Sequence, residues 1–193
     1  MTDTAREKLS RLSKSYLAHI RIAVQAGDSG APFRTFIDNW AAYSAEDGHH
    51  RSKGDRPKWF NNPCAISRRS MLLSLEFRSQ GAEAILRESL AHPEHYRSGR
   101  QAKKRELKLM VDHAVPIAVM VARLFDPGAD LSDHGIRAIL RKYYLLGLLS
   151  GAEDAHLNSM GLRSRMPSGW DGENLMARYQ MAGITPAAPV CDS

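Results

Sequence analysis

The sequence has little cysteine and no long apolar run. Cys64 and Cys191 are the only cysteines among 193 residues, which excludes a disulfide framework and a four-cysteine zinc site. A secretory signal would place an apolar segment near the N-terminus, where this chain reads MTDTAREKLSRLSK. No run of about 18 apolar residues occurs, so we expect no membrane-spanning helix and no membrane partner. These features together predict a cytoplasmic protein in a reducing compartment.

The motifs of common enzyme classes are absent as well. The chain contains no GxGxxG, Walker A loop, nucleophile elbow or HExxH, so dinucleotide redox chemistry, nucleotide hydrolysis and standard serine or zinc hydrolysis lose their usual support. Glu153 and His156 have the i, i+3 spacing of di-iron bundles, but that architecture needs the motif twice and one copy occurs. We therefore predict no metal and no cofactor, and the missing motifs weigh against an enzyme.

The chain does have an ordinary globular composition and an excess of positive charge. Its 43% hydrophobic and 25% charged residues exclude a wholly disordered chain, and its length suffices for one core. We expect a single domain over residues 1–184 and a disordered tail over 185–193. The net charge of +6 favours an anionic partner, because a positive field attracts nucleic acid before contact.

Apolar residues recur with helical spacing along nearly the whole chain. A long basic loop, rich in glycine and proline, interrupts the pattern after the second helix, at 45–63. Pro116 is expected to kink or restart a buried helix that follows the basic stretch 97–108. The predicted helices cover 4–26, the segment after Pro32, 66–92 with a break near Gly81, 114–125, 152–160 and 172–182. A further helix is predicted from a cap at Asp130 or Ser132 to Gly147 or Gly151. Since no alternating strand is evident, we predict an all-α fold, a compact bundle of about seven helices.

Basic side chains concentrate in two clusters, 51–69 and 97–108. On a helix, Arg100, Lys104 and Lys108 would form a cationic ridge, which repels itself unless an anion such as phosphate or nearby acidic side chains neutralise it. In the other cluster, Trp59 could stack on unpaired bases or anchor the loop to the core. The predicted nucleic-acid contacts are Arg51, Lys53, Arg56, Lys58, Trp59, Arg68, Arg69, Arg97, Arg100, Lys103, Lys104 and Lys108.

Two further patterns bear on nucleic acid. Arg87 and His92 resemble the arginine-to-histidine spacing of helical HEPN-type ribonucleases, a resemblance that implies RNA cleavage by this pair. A helix-turn-helix turning at Gly135 would bury Arg141, so that register fails. The stretch LSDHGIRAILRKYYLLGLLS could still supply a helix of a winged-helix-like unit with Arg137, Arg141 and Lys142 outward, although no β-wing is predicted.

Three functions remain open from the sequence. The first is a non-enzymatic nucleic-acid-binding or regulatory protein of a bacterial accessory or mobile element, which contacts DNA or RNA phosphates through the two basic clusters. The second is a helical adaptor or immunity-like protein that presents its basic surface to an acidic protein. The third is a small ribonuclease centred on Arg87 and His92. A homodimer is compatible with all three.

Overall fold

The computed structural model describes residues 3–44, 75, 77–91 and 108–187. Within these ranges seven helices and three strands follow one another along the chain. They are α1 (Asp3–Gln25), α2 (Phe33–Ser44), β1 (Phe77–Arg78), α3 (Gln80–Ala91), β2 (Leu109–His113), α4 (Ile117–Leu124), α5 (Asp133–Tyr143), β3 (Leu146–Ser150), α6 (Gly151–Ser159) and α7 (Ala177–Met181). No helix in this part of the chain is long and apolar enough to cross a membrane.

The chain divides into two compact units. One comprises Met1–Ser74 and Ile117–Tyr144, and the other comprises Leu75–Pro116 and Leu145–Ser193. The single domain expected over 1–184 stays a prediction.

The first unit, over its described residues, is helical. Its α1 and α2 pack against each other, and the turn between them places Gly27 at a φ of 69°, a conformation that favours glycine. The apolar face of α1 is buried at Leu9, Leu17 and Ile20, and this helix packs against α2. The Ser132 side chain caps α5 by accepting a hydrogen bond of 3.1 Å from the Gly135 N–H.

The second unit contains a three-stranded mixed sheet in the order β1-β3-β2. The central strand β3 runs parallel to β1 and antiparallel to β2, with Leu109 opposite Ser150 and His113 opposite Leu146. Every residue of β3 is buried, which explains why its first four residues, LGLL, show no polar alternation. Residues 185–187 run beside β1, where the Ala187 N–H donates to the Arg78 carbonyl at 2.7 Å.

The sheet shows that the all-α prediction is wrong, because the fold is mixed α/β. The helix predicted to run to Gly147 or Gly151 ends at Tyr143, and LGLLS forms β3. A short apolar run without alternation fits a buried strand as well as a buried helix, and periodicity alone does not separate them. The same ambiguity applies to LMVDH, which forms β2. Gly147 of β3 does not separate the two possibilities, because glycine is unfavourable in the interior of both helices and strands.

The helices themselves are predicted better than the strands. The expectations for α1, α2 and α6 are confirmed to within a few residues, and α4 restarts immediately after Pro116 as expected. Of the helix predicted over 66–92, the part after the break near Gly81 is confirmed as α3, whereas the part before the break is wrong at Phe77–Arg78, which form β1. The last helix is shorter than the predicted 172–182. The basic loop at 45–63 lies outside the described residues.

Candidate functional site

The structure describes few of the predicted functional residues. Lys108 is described and exposed, and it immediately precedes β2 rather than belonging to a helix. The other predicted contacts lie outside the described residues: Arg51, Lys53, Arg56, Lys58, Trp59, Arg68, Arg69, Arg97, Arg100, Lys103 and Lys104. His92 lies outside them too. Its predicted partner Arg87 is exposed on α3, where its Nε donates to Glu83 Oε1 at 3.2 Å. The arginine-histidine geometry that the ribonuclease hypothesis needs is therefore untested.

Lys108 lies at the edge of the sheet where two helices begin. Its carbonyl accepts a hydrogen bond of 2.7 Å from the N–H of Gly151, the first residue of α6. Because β1 runs parallel to β3, α3 also begins at this edge, directly after Ser79. We call the edge marked by Ser79, Lys108 and Ser150 the helix-start edge. The carboxyl ends of parallel strands are where ligands bind in open α/β sheets, and helix N-termini carry partial positive charge.

A single carboxylate joins the two helix starts. The Oε2 atom of Glu153 accepts hydrogen bonds from the Ser79 hydroxyl at 2.5 Å, the Ser150 N–H at 2.7 Å and the Ser150 hydroxyl at 2.8 Å. Each serine also caps its own helix, since the Ser79 Oγ accepts from the Ala82 N–H and the Ser150 Oγ from the Glu153 N–H. Both serines are buried, so their hydroxyls depend on these partners.

Glycine at position 81 leaves room for the close approach of the Glu153 carboxylate. A Cβ atom on Gly81 would lie 2.8 Å from Oε1 and 2.9 Å from Cδ of Glu153. With glycine there, the half-buried carboxylate neutralises the positive ends of α3 and α6 from within the molecule. A phosphate at the helix-start edge would therefore depend on Lys108 and the basic chain before it rather than on free helix ends.

A second polar cluster lies at the opposite end of β2. The guanidinium of Arg178 is buried and donates from Nε to the Ala114 carbonyl at 2.9 Å and from Nη1 to the Leu162 carbonyl at 2.8 Å. Its Nη2 bonds both the Asp112 carboxylate and the His113 carbonyl. These bonds fix α7 to the end of β2 and to the chain around Leu162.

Tyr179 completes this cluster. Its hydroxyl donates to Asp112 Oδ2 at 2.9 Å, and its ring stacks on Phe77 with centroids 5.1 Å apart. Burial raises the pKa of the Tyr179 phenol well above its ordinary value, and the neighbouring Asp112 carboxylate raises it further. The Asp112 carboxylate thus accepts from both a guanidinium and a phenol, an arrangement that serves packing rather than proton transfer.

Sequence reasoning missed both clusters, for different reasons. Ser150 and Glu153 match the S-x-x-E pattern of a capping box, which is a readable sign of a helix start. Arg178 carries no comparable sign, because an arginine in a short polar helix normally lies on the surface.

Metal binding finds no further support in the described ranges. No group of three or more His, Cys, Asp or Glu side chains there could hold a metal ion, and Glu153 is bonded to serines instead. Comparison with known proteins adds no family: no protein-family model, curated protein or solved structure matches the chain.

Proposed function

We propose that the protein is a non-enzymatic nucleic-acid-binding or regulatory protein of a bacterial accessory or mobile element, acting in the cytoplasm. The observation that carries the proposal is the placement of positive charge along the chain. Residues 45–74 and 92–107 each contain three more basic than acidic side chains, which together equal the net charge of +6. Phosphate contacts from lysine and arginine supply most of the affinity of non-specific nucleic-acid binders.

The sheet gives this charge a structural context. β1 and β2 are the outer strands, and the basic clusters 51–69 and 97–108 precede them in the sequence. Lys108, the last residue of the second cluster, is exposed at the helix-start edge. The carboxyl ends of β1 and β3 meet there, and in open, mostly parallel α/β sheets ligands bind at the corresponding edge. Support for phosphate binding at this edge thus comes from both charge and topology.

The test is binding of the full-length, nuclease-treated protein to labelled nucleic acid. Anisotropy is measured for single- and double-stranded DNA and RNA across about 50 to 200 mM salt. We expect an affinity that falls steeply with salt, with a slope that grows by about 0.9 for each phosphate neutralised on duplex DNA. Absence of binding to every probe at the lowest salt would overturn the proposal. A stoichiometric protein captured after nuclease treatment would then favour the acidic-partner hypothesis.

A charge-matched pair of variants localises the contact. One variant changes Arg100, Lys104 and Lys108 to glutamate, and the control makes the same change at three exposed cations of α1, which are Lys8, Arg11 and Lys14. The first variant should lose about 100-fold or more in affinity at low salt, because three phosphate contacts become repulsive. The control should lose much less. Equal losses in the two variants would show a general charge effect and contradict the assignment of the cluster.

A further inference from the structure

Helix α5, Asp133–Tyr143 in the first unit, presents a basic face to solvent. Arg141 and Lys142 are exposed, and Arg137 is half-buried on the same helix. The single acidic residue of the helix, Asp133, accepts a hydrogen bond of 2.9 Å from Arg21. The net charge of the helix surface is therefore positive, and its one carboxylate already has a cationic partner.

The buried side of α5 is equally well defined. Ile136, Leu140 and Tyr143 are buried, and the Ser132 cap fixes the start of the helix. The exposed Ala138 is small and lies one turn before Lys142, so the middle of the outer face carries no bulky side chain. Such a face allows another molecule to approach the helix backbone closely.

Arg137 adds a polar group that the described chain leaves unsatisfied. Its Nε atom is buried and has no hydrogen-bond partner among the described residues. A buried donor without a partner is costly, so the Arg137 side chain loses little when it turns outward to acceptors of a bound molecule. Arg137 and Arg141 are separated by one helical turn, or about 6 Å along the axis.

We infer that α5 enters the major groove of double-stranded DNA, where Arg137 and Arg141 reach base edges and Lys142 contacts a phosphate. This inference rests on the proposed function and specifies double-stranded DNA as the nucleic acid that the protein recognises. A helix with its side chains is about 10–12 Å across, and the major groove of B-DNA is about 12 Å wide. The major groove of A-form RNA is too narrow for side chains to read, which selects DNA.

The geometry of the two arginines matches base readout. A spacing of about 6 Å corresponds to nearly two base-pair steps of about 3.4 Å each. Arginine bonds the O6 and N7 atoms of guanine in a bidentate manner, the commonest specific contact in the major groove. The preceding α4 packs against α5, and Arg141 and Lys142 remain exposed. The inferred preference is therefore for guanines about two base pairs apart.

The experiment selects bound duplexes from a pool of random DNA of about 20 base pairs and compares affinities for fixed DNA and RNA duplexes of one sequence. The variant is Arg137→Gln with Arg141→Gln, and the charge-matched control is Arg11→Gln with Lys14→Gln on α1. We expect the wild type and control to enrich a guanine-containing sequence. The α5 variant should lose this enrichment and about tenfold or more in affinity for the selected duplex. Arg141→Gln alone changes an exposed side chain and should show the loss at one base position without altering thermal unfolding.

The outcomes separate the inference from the proposed function. Unchanged affinity and unchanged sequence preference in both α5 variants would overturn the inference while leaving phosphate binding by the basic clusters intact. Binding of duplex RNA as tightly as duplex DNA would overturn it as well. If the wild type binds none of the four nucleic-acid probes at low salt, the proposed function and the inference fail together.

Discussion

Asp112 and Glu153 lie toward opposite ends of the same sheet and are neutralised in different ways. Asp112, opposite Gly147 near the start of β3, accepts from the buried Arg178 guanidinium and from the Tyr179 hydroxyl. Glu153, just beyond the end of β3, accepts from neutral donors at two helix starts, and its partners among the described residues include no cation. One carboxylate is held by a formal positive charge, and the other by hydroxyls, an amide and helix dipoles.

The kind of group that neutralises a carboxylate determines how much folding stability is lost when that group is removed. Removing one member of a buried ion pair leaves the other charge buried and uncompensated. A carboxylate bound by neutral donors can instead be replaced by an amide that keeps the accepting oxygen. We therefore expect steep losses of stability at the Arg178 cluster and shallow ones at the helix-start edge.

The largest effect should follow from Arg178→Met. This change leaves Asp112 without its guanidinium partner and frees the Ala114 and Leu162 carbonyls, at a cost of about 3–5 kcal/mol in unfolding free energy. Urea denaturation followed by circular dichroism measures the loss. The control Arg163→Met alters an exposed arginine in the same unit and should cost within about 0.5 kcal/mol. A loss at Arg178 no greater than the control's would contradict the buried-pair interpretation.

Tyr179→Phe should cost less, about 2 kcal/mol at neutral pH, because it deletes one hydrogen bond to a charged acceptor. Its pH dependence is distinctive. Burial raises the pKa of Tyr179 above the ordinary 10.0, so the unfolded chain releases this proton first. The wild type therefore loses stability as the pH rises above about 10, and the variant lacks this component. Urea titrations from pH 7 to about 11 should show the difference between the two proteins shrinking. A constant difference would refute the effect.

The helices of the first unit and the strands of the second differ in how well the sequence predicts them. Helices α1 and α2 follow from apolar spacing, since one face of each is buried and the other exposed. Strand β3 does not, because burial on both faces removes the alternation that identifies a strand. The capping box at Ser150 and Glu153 predicts that a helix begins at Gly151, and therefore that the preceding element ends at Ser150.

The residues of the candidate site also differ in how far the sequence predicts their surroundings. The exposure of Lys108 can be predicted, because a cluster of basic residues in a sequence normally lies in solvent. Glu153 and Gly81 are far apart in the chain, so no local sequence pattern predicts that they lie close together in the fold. The burial of Arg178 depends on carbonyls from β2 and from the chain near Leu162, which meet only in the folded unit.

Gly81→Ala should have a smaller effect that depends on Glu153. The added Cβ would displace the carboxylate from its donors, although alanine favours the helix by about 0.5–1 kcal/mol. We expect a net loss of about 1 kcal/mol in the wild type and no loss, or a gain, in the Glu153→Ala background. Urea unfolding of the two single variants and the double variant measures this coupling. Strict additivity would show that the carboxylate and the helix start do not interact.

The smallest effect is expected from Glu153→Gln. The amide oxygen can still accept from Ser79 and Ser150, so stability should fall by only about 0.5–1 kcal/mol. Removing one negative charge from the helix-start edge should tighten duplex DNA binding on the order of 2-fold at low salt, with the gain fading as salt screens it. Glu173→Gln removes an exposed charge from the same unit and is the matched control. Anisotropy titrations measure the DNA affinity of both variants. An equal gain in affinity in the control would show that overall charge is responsible. A gain confined to Glu153→Gln would locate bound phosphate beside the carboxylate that neutralises the two helix starts.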